Sequence, residues 1–92
     1  MIYEYNGNLV DGLYYFYASW NSKCNVSNDR LKRIDLEFKN LNIITVNTTK
    51  FPNLKKDFTI KVIPTYLLFK NNQIIKKIEG NIDYISLAKW LK

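Results

Sequence analysis

The sequence predicts an α/β domain built on a mixed β-sheet. Three observations lead there. Strand-like apolar segments are interleaved with segments of helical period, in the order β, β, α, β, α, β, β, α. A helix joining two strands implies that they pair in parallel. Only Asn71-Asn72 separates the last two strand segments, so these close an antiparallel hairpin and make the sheet mixed. With 92 residues, 47% of them hydrophobic and 15% aromatic, residues 1–92 form one small domain with a single core and no repeat or low-complexity linker.

Each element has a local reason. Residues 1–5 (MIYEY) alternate apolar and polar and read as a short strand that ends at the turn dipeptide Asn6-Gly7. Residues 13–18 (LYYFYA) are continuously apolar or aromatic, the pattern of a central strand covered on both faces. A helix is expected from about Ser22 to Asn40, with Asn21 or Ser22 as its N-cap. Leu31, Ile34, Phe38 and Leu41 form its apolar stripe, and Arg30, Lys32, Arg33, Glu37 and Lys39 fall mostly off it. Residues 43–47 (IITVN) are β-branched and short, hence a buried strand. Pro52 opens a short helix over residues 52–58. Residues 65–70 and 73–78 are the hairpin strands, and Gly80 breaks the second. Asp83 caps a last helix whose inner face is expected to carry Ile85, Ala88 and Leu91, with Trp90 as a packing residue.

Composition narrows the chemistry. The chain has no histidine, which removes Ser–His and Cys–His hydrolases and every His-bearing zinc site. Cys24 is the only cysteine, so neither an intramolecular disulfide nor a CxxC pair nor a four-cysteine metal site can form. Gly7, Gly12 and Gly80 do not assemble a phosphate-binding glycine loop. No metal or other cofactor is expected. The net charge of +6 comes from twelve lysines and only two arginines, the weaker composition for phosphate and base contacts. The aromatic motifs of RNA-binding sheets are missing, and Lys55-Lys56, Lys61 and Lys76-Lys77 read as a solvated surface. A nucleic-acid partner is therefore not expected. No apolar run reaches the ~20 residues that span a bilayer, and residues 1–20 carry no signal-peptide pattern. The expected setting is a reducing, cytoplasmic compartment without a membrane partner.

Three features, in this order and spacing, make the chain resemble the thioredoxin family over nearly its full length. A hydrophobic strand leads through Ala18-Ser19-Trp20 into a strand-to-helix corner reading WNSKC, where thioredoxins have WCGPC. About forty residues later, Ile63-Pro64-Thr65 is similar to the family's cis-proline loop. Leu67-Leu68-Phe69-Lys70-Asn71 resembles the final hairpin, with Gly80 at the family's glycine. The resemblance implies a thioredoxin-like fold with helices on both faces of the sheet, shortened at its start where the first family helix is missing.

The departures concern the chemistry. The family's attacking cysteine is replaced by Asn21, and an amide cannot attack a disulfide. Cys24 matches the second, resolving cysteine. The family's buried acid falls on Tyr15, its lysine partner on Thr45 and its helix-kinking proline on Asp29. These changes imply a redox-inactive protein-binding or scaffold module, not a dithiol enzyme. Its groove would lie between Trp20, Asn21 and Ser22 on one side and Ile63, Pro64 and Thr65 on the other, and would take a protein or extended peptide segment. Two alternatives stay open. Cys24 is either an inert thiol of the first helical turn or the catalytic thiol of a one-cysteine redox protein. The chain could also be a structural subunit of a larger assembly, a virion among them.

Overall fold

A computed structural model describes residues 1–18 and 27–92. Strands β1 (Ile2–Glu4), β2 (Gly12–Tyr17), β3 (Ile43–Asn47), β4 (Thr65–Lys70) and β5 (Gln73–Glu79) form one sheet in the order β1-β3-β2-β4-β5. β3 pairs in parallel with both β1 and β2, whereas β4 is antiparallel to β2 and β5. Helix α1 (Ser27–Glu37) and helix α3 (Tyr84–Leu91) lie on one face, and helix α2 (Pro52–Asp57) lies on the other.

Each face of β2 feeds a separate half of the core. Leu13 and Tyr15 point to α1 and α3, where Leu31, Ile34, Ile43, Tyr66, Leu87 and Ala88 complete a buried cluster. Tyr14 and Phe16 point the other way, among Ile44, Val46, Leu54, Phe58, Ile60, Leu67 and Phe69. Strand alternation sends successive side chains to opposite faces, so the continuous LYYFY run requires cover on both sides. Gly12 opens this strand where no side chain fits. A Cβ there would stand 2.4 Å from the Asn42 carbonyl oxygen, the oxygen that accepts the Leu13 N–H at 2.8 Å.

Two helices depart from the expected detail. α1 ends at Glu37 rather than Asn40, because the chain turns there with the Leu41 N–H donating to the Phe38 carbonyl at 3.0 Å. That turn still brings Phe38 and Leu41 against the core. In α3, Asp83 caps the helix by accepting the Ser86 N–H at 2.8 Å. However, Ile85 is 65% exposed, and the inner face is Tyr84, Leu87, Ala88 and Leu91. The expected set recurred strictly every three residues, which drifts around an α-helix. The observed set follows the i, i+3, i+4, i+7 rule.

The Asn71-Asn72 hairpin turn has φ of 54° and 60°, the paired positive values that a two-residue primed turn requires and that Asn tolerates. The sequence did not announce the positive φ of another non-glycine residue, 55° at Thr59. There the Ile60 N–H donates to Lys55 O at 2.9 Å and the Thr59 N–H to Lys56 O at 3.1 Å. This is the Schellman closure of α2, with a β-branched residue at the position that glycine usually fills. Replacing Thr59 by Gly is expected to raise the unfolding free energy by about 1 kcal/mol, read from the urea midpoint.

The segment before β2 is held by a side chain of the strand itself. The Tyr14 hydroxyl donates to the Val10 carbonyl at 2.6 Å and accepts the Val10 N–H at 2.9 Å. Tyr14→Phe should therefore cost about 1 kcal/mol. Burial pushes the Tyr14 phenol above its ordinary value of 10.0. A raised folded-state pKa gives stability that is complete below the unfolded value and is lost as pH rises through the folded one. The gap between wild type and Tyr14→Phe should thus narrow above about pH 10 in pH-dependent unfolding.

Candidate functional site

The candidate groove has one wall among the described residues. Phe16 pairs with Thr65, so the start of β4 lies beside the end of β2. The loop Lys61–Pro64 therefore stands at the same end of the sheet as Tyr17 and Ala18. Trp20, Asn21 and Ser22, expected on the opposing wall, and Cys24, the expected thiol, lie outside the described residues.

The loop is pinned at several points. The Ile63–Pro64 peptide bond is cis. Pro64 is buried, and its carbonyl accepts the Gly80 N–H at 2.8 Å. Gly80 reaches this position with φ of 102°, a conformation glycine adopts without a Cβ clash. Thr65 is fully buried, and its hydroxyl donates to the Val62 carbonyl. Ile63 packs against the α2-side core. These anchors leave Val62 45% exposed at the rim. The expected groove residues Ile63, Pro64 and Thr65 are thus together and mostly inward. Val62, which sequence reasoning passed over, is the apolar side chain presented to solvent beside them.

Beneath this end of the sheet the rings are stacked. Tyr15 lies parallel to Tyr17, with centroids 5.8 Å apart and planes 9° apart, and its centroid is 5.0 Å from that of Tyr66. Tyr15 and Thr45 are Cα partners across β2 and β3. The two positions where the family resemblance put an acid and a lysine are therefore neighbours, and they carry a phenol and a hydroxyl. Among the described residues no group of three or more His, Cys, Asp or Glu side chains gathers to hold a metal.

Two contacts tie this end of the sheet to its surroundings. The Thr48 N–H and hydroxyl both donate to the Tyr17 carbonyl, at 2.8 and 3.0 Å, closing β3 onto β2. The Arg30 guanidinium donates to the Tyr66 hydroxyl at 3.2 Å and to Asn81 Oδ1 at 2.8 Å. Arg30 falls off the apolar stripe of α1 in the sequence. In the fold it joins α1, β4 and the segment before α3. Its spacing one residue before Leu31 held no clue to that role, which depends on where β4 places Tyr66.

Comparison with known proteins agrees with this architecture. The thioredoxin family model matches residues 6–92. The chain is 32% identical over 84 residues to a thioredoxin of Buchnera aphidicola subsp. Baizongia pistaciae, covering 90% of this chain and 73% of that protein. It is 31% identical over 65 residues to a peptide-N(4)-(N-acetyl-beta-glucosaminyl)asparagine amidase of Caenorhabditis briggsae, covering 71% of this chain but only 11% of that protein's length. In fold, it superposes on the germline-specific thioredoxin Deadhead of Drosophila melanogaster with a TM-score of 0.78 at 20% identity, covering 88% of this chain and 79% of the other. The five-stranded mixed sheet with helices is the one expected, and the chain belongs to the thioredoxin family.

Proposed function

We propose that this thioredoxin-like protein is a binding module without dithiol oxidoreductase turnover, which holds an extended protein segment against the Val62–Thr65 loop. The observation that carries the reading is its single cysteine: Asn21 occupies the first position of WNSKC, and Cys24 has no second thiol in the chain. Thiol–disulfide turnover within one chain requires a resolving partner for the attacking thiolate. The loop, by contrast, is fixed in place. The Gly80-to-Pro64 and Thr65-to-Val62 hydrogen bonds hold it, and a preformed edge costs little ordering on binding. An extended segment laid along such an edge gains main-chain hydrogen bonds and side-chain contact with Val62.

Selection from a displayed library of extended peptides tests the binding, and Val62→Asp and Ile63→Asp are the informative variants. Val62→Asp should abolish enrichment while leaving the fold intact, because Val62 is 45% exposed. Ile63→Asp should do the same with some loss of stability, because Ile63 packs against the core. Cys24→Ser should leave selection unchanged. In parallel, the wild-type protein should not accelerate insulin reduction by dithiothreitol. Catalysed insulin reduction that disappears in Cys24→Ser would replace this reading with a one-cysteine redox protein.

A further inference from the structure

We propose that the outer edge of β5 is a second docking surface, and that it takes an extended acidic segment of a partner protein as an added strand. β5 is the outermost strand on its side of the sheet. Its seven residues offer about 23 Å of strand. Among the described residues no other strand pairs with its outer edge. Such an edge is a template for strand addition unless it is covered or guarded.

Lysines commonly guard an edge by projecting across it. Here the two central lysines are drawn away instead, one to each face. Lys76 donates from Nζ to the Trp90 carbonyl on the α3 side, and its Nζ stands 4.9 Å from the centroid of the Trp90 ring. Lys77 donates from Nζ to the Thr59 carbonyl at 3.1 Å, on the α2 side. A positive charge thus flanks the strand above and below. Neither ammonium has a carboxylate partner among the described residues.

The apolar part of the surface is set by an irregularity in register. Leu68 pairs with Lys76, but Phe69 pairs with Ile74, so Ile75 is the extra residue of a β-bulge. Ile74 and Ile75 are 45% and 51% exposed. An incoming strand thus meets two isoleucines at one end and a lysine on each face farther along.

Charge selects the occupant. In a second copy paired antiparallel about its centre, Lys76 would stand opposite Lys76, and like charges directly opposed destabilise a strand pair. The chain's net charge of +6 adds repulsion between copies. A segment with two consecutive carboxylates, which strand alternation sends to opposite faces, sets one acid beside Lys76 and the other beside Lys77, and the branched apolar pair next to them lies over Ile74 and Ile75. This surface lies apart from the Val62–Thr65 loop and does not depend on the function proposed for it.

The test uses the full chain, labelled with nitrogen-15, and two ten-residue probe peptides: one repeats glutamate-glutamate-valine-valine, the other lysine-lysine-valine-valine. The glutamate peptide should shift the amide resonances of Gln73–Glu79 and slow their exchange, and added salt should weaken it. The double variant Lys76→Glu, Lys77→Glu should weaken that peptide by about tenfold or more and favour the lysine peptide. Ile75→Ser, at an exposed position, should weaken the glutamate peptide without reversing the preference between the two. Any of four results overturns the proposal. These are no shift on β5, shifts confined to residues 61–65, equal binding of both peptides by the wild-type protein, or concentration-dependent broadening of β5 without peptide, which would mark a second copy as the occupant.

Discussion

Every strand in the sheet is positioned, directly or through one neighbour, by β2. Leu13 through Phe16 are almost wholly removed from water, with no residue more than 2% exposed. A backbone so buried must find all its hydrogen bonds in neighbouring strands, since an unmade bond leaves a desolvated donor or acceptor. β3 on one side and β4 on the other satisfy that demand. The parallel partner forces a crossover, which α1 supplies. The antiparallel partner puts the start of β4 level with the end of β2. The loop of the candidate groove stands where it does because Phe16 and Thr65 share a register.

Alternation then divides the core unequally. The face of Leu13 and Tyr15 is covered by two helices, with eleven residues in α1 and eight in α3. Among the described residues, the face of Tyr14 and Phe16 is covered by a six-residue helix and the segment after it. Aromatic rings make up much of the difference. Tyr14, Phe16, Phe58 and Phe69 contact one another with centroids 5.5–6.4 Å apart, three of the pairs edge to face. Large rings bury much apolar area per residue, which suits a face with few elements to cover it. The same economy leaves Ile74 and Ile75 uncovered at the β5 end of the sheet.

What was legible in the sequence was what depends on local pattern. The LYYFY run, the β-branched IITVN segment, the Asn71-Asn72 turn and the Asp83 cap each carry their reason within a few residues, and all five strands lie within about one residue of the expected spans. What was not legible depends on partners distant in the chain. Arg30 finds Tyr66 and Asn81 only once β4 is in place. Thr59 adopts a conformation its residue type disfavours because the turn out of α2 must deliver Ile60 to the core. Of the groove, Ile63, Pro64 and Thr65 could be named from a short motif. Val62 could not, because an isolated valine before that motif does not show which of four neighbouring side chains the fold will leave in solvent.

The two surfaces of this chain share a single framework. β4 carries the groove loop at its start and pairs with β5 along its length. Gly80 follows β5 directly and donates to the Pro64 carbonyl, so the end of the edge strand and the loop are joined by one hydrogen bond. A strand added to β5 would hold Glu79 and Gly80 more firmly, and through that bond the loop as well. Linkage makes the effect mutual: if occupation of the edge orders the loop, occupation of the loop must strengthen the edge by the same factor. That factor is small, because the loop is already held by its own hydrogen bonds and a strand added to β5 leaves little in it to order. On the two proposed readings, the fold is a rigid frame that presents two strand-accepting edges at a fixed separation.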